Sequence, residues 1–223
     1  MEKPSGIETR EVAIPRLGLV GTLSVPPSAS ALVAFAHGSG SSRLSQRNRV
    51  VAEALNKKGM ATLLFDLLTA EEEAVRANVF DIPLLAGRLT DAVNRLDQDR
   101  KFHHMAFGLF GASTGAAAAL VAASQLGRRI SAVVSRGGRP DLAASVLDRV
   151  DAPTLLIVGG ADYGVIELNE QALARLRGPK SLEIVPGASH LFPEPGALET
   201  VVDRAARWFE RYLRTNPSAA IPA

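Results

Sequence analysis

One serine in this chain stands in a setting that can turn an alcohol into a nucleophile. Gly111-Ala112-Ser113-Thr114-Gly115 follows an apolar run at 105–110 and precedes a small, helix-favouring stretch at 116–119. Between a strand and a helix, this spacing puts the serine on a turn so sharp that the residues two positions away on either side must lack side chains. Such a turn lifts the hydroxyl clear of the sheet edge, and the first amides of the helix point at any anion that forms beside it. A rival reading takes Gly108, Gly111 and Gly115 as a nucleotide-binding turn. That turn needs an acidic residue about 20 positions on, and residues 133–136 hold none. A second rival has the glycines only letting a helix pack closely on a strand.

A serine hydroxyl attacks an acyl group when an imidazole takes its proton and a carboxylate fixes the tautomer of that imidazole. Two later apolar runs supply both. Residues 154–158 lead into Gly159-Gly160-Ala161-Asp162, and residues 181–185 lead into Pro186-Gly187-Ala188-Ser189-His190. Taken singly, Asp162 reads as a turn former and His190 as an ordinary hydrogen-bonded histidine. Three matching groups at three strand ends, in the order Ser113, Asp162, His190, make coincidence the poorer account. Glu167 and Asp203 are fallback acids, and neither follows a strand.

The negative oxygen formed during attack needs backbone donors. Thr114, directly after the serine, offers one; Ser39 in the loop His37-Gly38-Ser39-Gly40-Ser41-Ser42 is the choice for the other. A phosphate-binding loop would require a following Gly-Lys-Ser/Thr, which the chain lacks there. His37 is expected to shape the loop through hydrogen bonds, and His103 and His104 to be structural. Arg136, just past a strand end, is a candidate reader of a substrate carboxylate, although a structural salt bridge is the commoner use of such a residue. Arg43 is a second candidate. No metal or cofactor is expected: the four histidines lack i, i+4 pairing around a glutamate, and the chain has no cysteine.

These groups must be positioned by a sheet. Short apolar runs bounded by Gly, Pro or Asp alternate with stretches of helical period, the mark of a mostly parallel sheet with helices on both faces. Strands are expected at 19–25, 31–36, 61–65, 105–110, 131–135, 154–158 and 181–185, with an edge strand near 9–14. Helices are expected at 46–58, 83–98, 114–126, 140–150, 165–176 and 195–213. In the last, Leu198, Val201, Val202, Ala205, Trp208, Phe209 and Tyr212 fall on one face. Residues 1–215 read as one domain and 216–223 as a loose tail.

Composition sets the outer bounds. The 223 residues are 47% hydrophobic and 22% charged, which suits one globular domain. The net charge is +2, aromatics are 5%, and acidic residues are interleaved with basic ones, so nucleic acid is not an expected partner. No apolar stretch approaches a membrane span and residues 1–10 do not read as a signal peptide, so a cytoplasmic protein without a membrane partner is expected. A homodimer is compatible with the sequence.

The His-Gly-Ser-Gly-Ser-Ser loop at 37–42, the elbow at 111–115, Gly-Gly-Ala-Asp at 159–162 and Gly-Ala-Ser-His-Leu-Phe at 187–192 together resemble the α/β-hydrolase superfamily. Within it the chain looks like the small proteins grouped with dienelactone hydrolases. The resemblance implies an α/β-hydrolase fold without a large lid domain, and cleavage of carboxylic esters or lactones of small to medium size through an acyl-enzyme on Ser113. Dienelactone hydrolases proper use cysteine where Ser113 stands, so their particular substrate is not carried over. Relatives sharing this loop and the Ser-Arg-Gly-Gly stretch at 135–138 are fused to, or named after, phosphoribosyltransferases; with no pyrophosphate-binding motif in this chain, that activity is not expected. A binding or regulatory protein on the same fold, and perhydrolase chemistry at the same serine, are the alternatives.

Overall fold

The computed structural model describes residues 6–14 and 18–213; the proposed tail at 216–223 lies outside them. Eight strands form one sheet: β1 (Glu8–Ile14), β2 (Leu19–Val25), β3 (Ala31–Ala36), β4 (Ala61–Phe65), β5 (Ala106–Ala112), β6 (Ile130–Arg136), β7 (Thr154–Gly159) and β8 (Lys180–Val185). Their order across the sheet is β1-β2-β4-β3-β5-β6-β7-β8. β1 and β2 form an antiparallel hairpin, β2 joins β4 antiparallel, and every pairing from β4 to β8 is parallel. The parallel strands β3 and β4 are buried along their whole length and read as continuous apolar runs, whereas β1 at the edge is largely exposed.

Helices cover both faces. α1 (Gln46–Lys57) and α7 (Ala197–Tyr212) lie on one side, where Val51, Leu55, Val201 and Phe209 pack on Phe35, Phe110 and Ile157. α4 (Ile82–Asp97), α5 (Thr114–Leu126) and α6 (Tyr163–Arg175) lie on the other, with Leu85, Leu89, Ala118 and Ala172 against Leu32, Leu109 and Leu156. The sheet therefore divides two apolar cores, and its carboxyl edge is left to the loops.

The expected elements are all present, with shifted ends. α4 begins at Ile82 because Asp81 accepts from the Leu84 amide, a cap that satisfies one of the open donors of the first turn. The stretch expected as a helix at 140–150 is a 3₁₀ segment, Pro140–Arg149, broken by non-helical geometry at Ala143. It lies flat on α5 through Ala143, Val146 and Leu147. Two one-turn helices between β4 and α4, α2 (Ala70–Glu73) and α3 (Arg76–Val79), were not anticipated. Thr69 and Glu72 start α2 with a reciprocal capping box. Between β6 and β7, residues 137–153 hold only the 3₁₀ segment, and among the described residues no lid domain stands there. Nor is any helix of the described residues long and apolar enough to cross a membrane.

Candidate active site

Ser113 sits between the end of β5 and the start of α5 with φ 52° and ψ −120°. An L-residue rarely accepts that backbone geometry, and it holds here because the flanking glycines let the chain pass under itself. A Cβ on Gly111 would lie 2.4 Å from the Ala116 Cα, and one on Gly115 would lie 2.3 Å from the Ala36 carbonyl oxygen. The Ser113 amide donates to the Arg136 carbonyl at 3.1 Å, and its own carbonyl accepts from the Arg139 amide at 3.2 Å. The elbow is thus pinned to the last residue of β6 and to the loop that follows it.

Asp162 and His190 reach the same spot from β7 and β8. Asp162 stands immediately before α6, and His190 stands in the loop between β8 and α7. The two loops are tied together by the Gly160 amide on the Val185 carbonyl (2.8 Å) and the Ala161 amide on the Ala188 carbonyl (2.9 Å). Glu194 closes the second loop by accepting from the Ser189 amide at 3.0 Å. The result is a relay: His190 Nδ1 lies 2.6 Å from Asp162 Oδ2, and His190 Nε2 lies 3.4 Å from Ser113 Oγ. A proton on Nδ1, donated to the carboxylate, leaves the Nε2 lone pair facing the hydroxyl. The three residues singled out by spacing are therefore brought together.

Of the two donors chosen for the oxyanion, the Ser39 amide is already engaged, and by a side chain of the residue that supplies the other. The Ser39 amide donates to Thr114 Oγ1 at 2.9 Å. In the free protein the Ser39 amide, chosen as the second donor, already has an acceptor in the threonine hydroxyl. His37 holds the loop as expected. Its Nδ1 faces the Gly38 carbonyl at 3.0 Å, and its Nε2 accepts from the Leu67 amide at 3.1 Å. Burial lowers the His37 pKa, outweighing the opposing pull of that carbonyl and of Asp66 and Glu73.

Arg43, the second candidate for reading a substrate carboxylate, is ion-paired within the fold. Its guanidinium is 2.7 Å from Asp66 and 3.3 Å from Glu11, and its amide also donates to Asp66, so its charge is already matched within the fold. Arg136 departs from expectation in the opposite sense. Among the described residues it makes no salt bridge, although it is only 6% exposed. Burial, with a smaller push from the like charge of Arg47, brings its pKa down to about 10. His103 and His104 lie away from the site, the former bonded to the Arg100 carbonyl.

Sequence reasoning missed Asn169. Buried on α6, it donates to the Gly138 carbonyl at 3.0 Å and so ties the loop after β6 to the helix that follows Asp162. Nothing in its local sequence marks it, since the contact spans 31 residues. Beside the oxyanion loop lies a cavity of about 290 Å³, floored by Leu67, Leu68, Val79 and Leu85 and walled by residues 37–44 and Thr114. No cluster of His, Asp and Glu able to hold a metal ion occurs among the described residues.

A parallel sheet with helices on both faces and a serine elbow at its carboxyl edge define the α/β-hydrolase fold. Residues 37–215 match the dienelactone hydrolase family, and the chain belongs to that family of hydrolases. Over 93% of its length it is 54% identical to a dienelactone hydrolase of Anabaena variabilis, of which it covers 98%, with a TM-score of 0.89. It is also 56% identical, over 206 residues, to a Mycobacterium tuberculosis protein named as a phosphoribosyl transferase. Those residues are 92% of this chain and 46% of that protein, so the chain spans about half the length of the curated relatives it matches. Est1E from Butyrivibrio proteoclasticus shares the fold at 16% identity, with a TM-score of 0.76 over 93% of this chain and 98% of that one.

Proposed function

We propose that this hydrolase cleaves small carboxylic esters or lactones through an acyl-enzyme on Ser113. The observation that carries the reading is the imidazole of His190 set between Asp162, at 2.6 Å, and the Ser113 hydroxyl, at 3.4 Å. Hydrogen bonds of this kind tend to be long in a free enzyme and to shorten once substrate is bound.

In the first half-reaction His190 Nε2 takes the hydroxyl proton while Ser113 Oγ bonds to the ester carbonyl carbon. The carbonyl oxygen becomes an anion and is held by the Thr114 amide and by the Ser39 amide, once the Thr114 hydroxyl has turned away from it. The imidazolium, stabilised by Asp162, then gives its proton to the departing alcohol oxygen as the carbon–oxygen bond breaks. Water enters, loses a proton to His190 and attacks the acyl-enzyme; the acid leaves and Ser113 regains its proton. The cavity floored by Leu67, Leu68, Val79 and Leu85 suits a compact apolar group, and the open β6–β7 connection leaves the site accessible from solvent.

The transferase name of the longer relatives is not taken over. It belongs to proteins of which the match covers 46%, and a hydroxyl nucleophile backed by imidazole is the equipment of acyl transfer. The test is a panel of p-nitrophenyl esters of increasing acyl length, run on wild type and Ser113→Ala, with a fluorophosphonate label on both. Turnover and labelling by wild type alone are the expected result. A folded wild type that neither turns over esters nor takes the label is a binding protein on a hydrolase fold, and the proposal fails.

A further inference from the structure

The Ser-Arg-Gly-Gly stretch at 135–138 takes no part in the proton transfers described above, yet with Arg139 it reaches the supports of all three relay residues. The Arg136 carbonyl and the Arg139 amide hold the backbone of Ser113. Between them, the Gly137 amide donates at 2.8 Å to the Ile157 carbonyl of β7, the strand that leads to Asp162. The Gly138 carbonyl accepts from Asn169 Nδ2 at 3.0 Å. The same NH₂ donates its other proton to the Val165 carbonyl at 2.8 Å, and the Val165 amide donates to the Asp162 carbonyl at 3.0 Å.

Gly137 faces His190. Its φ is +51°, and a Cβ there would lie 3.0 Å from the His190 carbonyl oxygen and 3.6 Å from both Nδ1 and Cε1 of the ring. The backbone thus stands against the imidazole with little space to spare. Gly138 is as closely seated on its other side, where a Cβ would run into the Ser135 hydroxyl and lie 2.8 Å from the Ala116 Cβ. The two glycines fill a narrow gap between α5 and the His190 loop. Asn169, which holds them there, is fully buried, and its Oδ1 has no partner. An orphaned buried oxygen is a cost to the fold that a leucine in that place would not bear. What the amide supplies instead is two donors aimed at fixed carbonyls.

We propose that Asn169 and Gly137 are positioning residues of the relay: Asn169 fixes the Gly137-Gly138 segment, and that segment is the wall that keeps the His190 ring in line between Asp162 and Ser113. That the alignment serves ester cleavage rests on the hydrolase reading of Ser113; the wall itself does not. The 3.4 Å between His190 Nε2 and Ser113 Oγ leaves little margin, since a displacement of about 1 Å at a reacting centre can cost about 10²-fold in rate.

Asn169→Leu removes both donors at similar volume and takes the orphaned oxygen with them. Gly137→Ala pushes on His190 directly. Its control is Gly59→Ala, because Gly59 has a φ of +80° and a Cβ there would meet nothing within 4 Å. Crystal structures and ester kinetics are compared for wild type and the three variants. In Asn169→Leu and Gly137→Ala, His190 Nε2 is expected to move relative to Ser113 Oγ by about 0.5 Å or more. With it, kcat for a p-nitrophenyl ester falls by about tenfold or more while KM stays within about twofold. Gly59→Ala leaves the relay and kcat as in wild type. Gly137→Ala carries the test if Asn169→Leu does not fold. A relay that superposes on wild type in the variants that fold, a kcat reduced no further than in Gly59→Ala, or a fall in kcat/KM carried by KM alone overturns the proposal. Displacement of His190 in variants of a wild type that cleaves no ester leaves the wall standing and removes the hydrolase reading.

Discussion

Ser39 and Thr114 hold each other: the amide of the first donates to the hydroxyl of the second across 2.9 Å. In the free protein that bond occupies one of the two donors proposed for the oxyanion. Thr114→Val removes the acceptor at nearly constant size and keeps the Thr114 backbone amide. Ser39 is exposed, so its amide can turn to water once the acceptor is gone, and the cost to the resting protein is the net worth of one hydrogen bond, about 0.5–1.5 kcal/mol. Urea unfolding should therefore show a loss of about 1 kcal/mol, while kcat/KM for a p-nitrophenyl ester rises several-fold because the donor no longer has to leave the threonine hydroxyl. A tenfold fall in kcat/KM would instead mean that the hydroxyl itself touches the reacting oxygen.

Asp162→Asn tests the relay. The carboxylate now accepts from His190 Nδ1 at 2.6 Å; an amide presenting its NH₂ there would favour the opposite tautomer, with the proton on Nε2 and no lone pair for Ser113. The expected loss in kcat is roughly 10⁴-fold, with the melting temperature nearly unchanged because asparagine matches aspartate in size and still fills the place before α6. A loss of only tenfold would show that another group orients the imidazole.

The parts of the site legible in the sequence were those whose chemistry is local. Gly111, Ser113 and Gly115 declare a turn by their own spacing, and Asp162 and His190 each follow an apolar run that could only be a strand. The strands were legible for the same reason, since a buried parallel strand is a short apolar run between turn residues. The illegible parts depend on partners distant in the chain. Asn169 is defined by the Gly138 carbonyl, 31 residues away, and the engagement of Ser39 by Thr114 spans 75. Arg43 looked free because Asp66, just past β4, and Glu11, in the middle of β1, are distant in the chain, and Arg136 looked ready for a salt bridge that the fold does not provide. The 3₁₀ geometry at 140–149 was hidden because its apolar spacing also fits an α-helix.

Gly115→Ala and Gly40→Ala separate crowding from backbone strain. A Cβ at Gly115 would fall 2.3 Å from the Ala36 oxygen and 2.4 Å from the His37 oxygen, so β3 and α5 would have to part. At Gly40 there is nothing within 4 Å, and only its φ of +65° opposes a side chain. Denaturant unfolding should report about 3 kcal/mol lost for Gly115→Ala, together with loss of fluorophosphonate labelling. Gly40→Ala should cost about 1 kcal/mol. Equal costs would mean that the elbow yields without disturbing the strand beneath it.

His37 gives the fold a pH dependence of definite sign. Its ring can serve both neighbours only when neutral, with the proton on Nδ1 facing the Gly38 carbonyl and the Nε2 lone pair facing the Leu67 amide. Burial lowers its pKa below the ordinary value of about 6.5. The unfolded chain takes up this proton near its ordinary pKa while the folded one resists, so the contribution is complete above that value. As the pH falls below it, towards the lowered folded value, stability is lost. In His37→Gln the amide oxygen can still accept from Leu67 and cannot titrate. Urea unfolding between pH 8 and pH 5 should show wild type more stable than the variant at the upper end and losing more on the way down, by up to about 1.4 kcal/mol for each unit of pKa displacement. Other groups titrate alike in both proteins and cancel in the comparison; parallel curves would show that the ring accepts a proton in the fold as readily as in water.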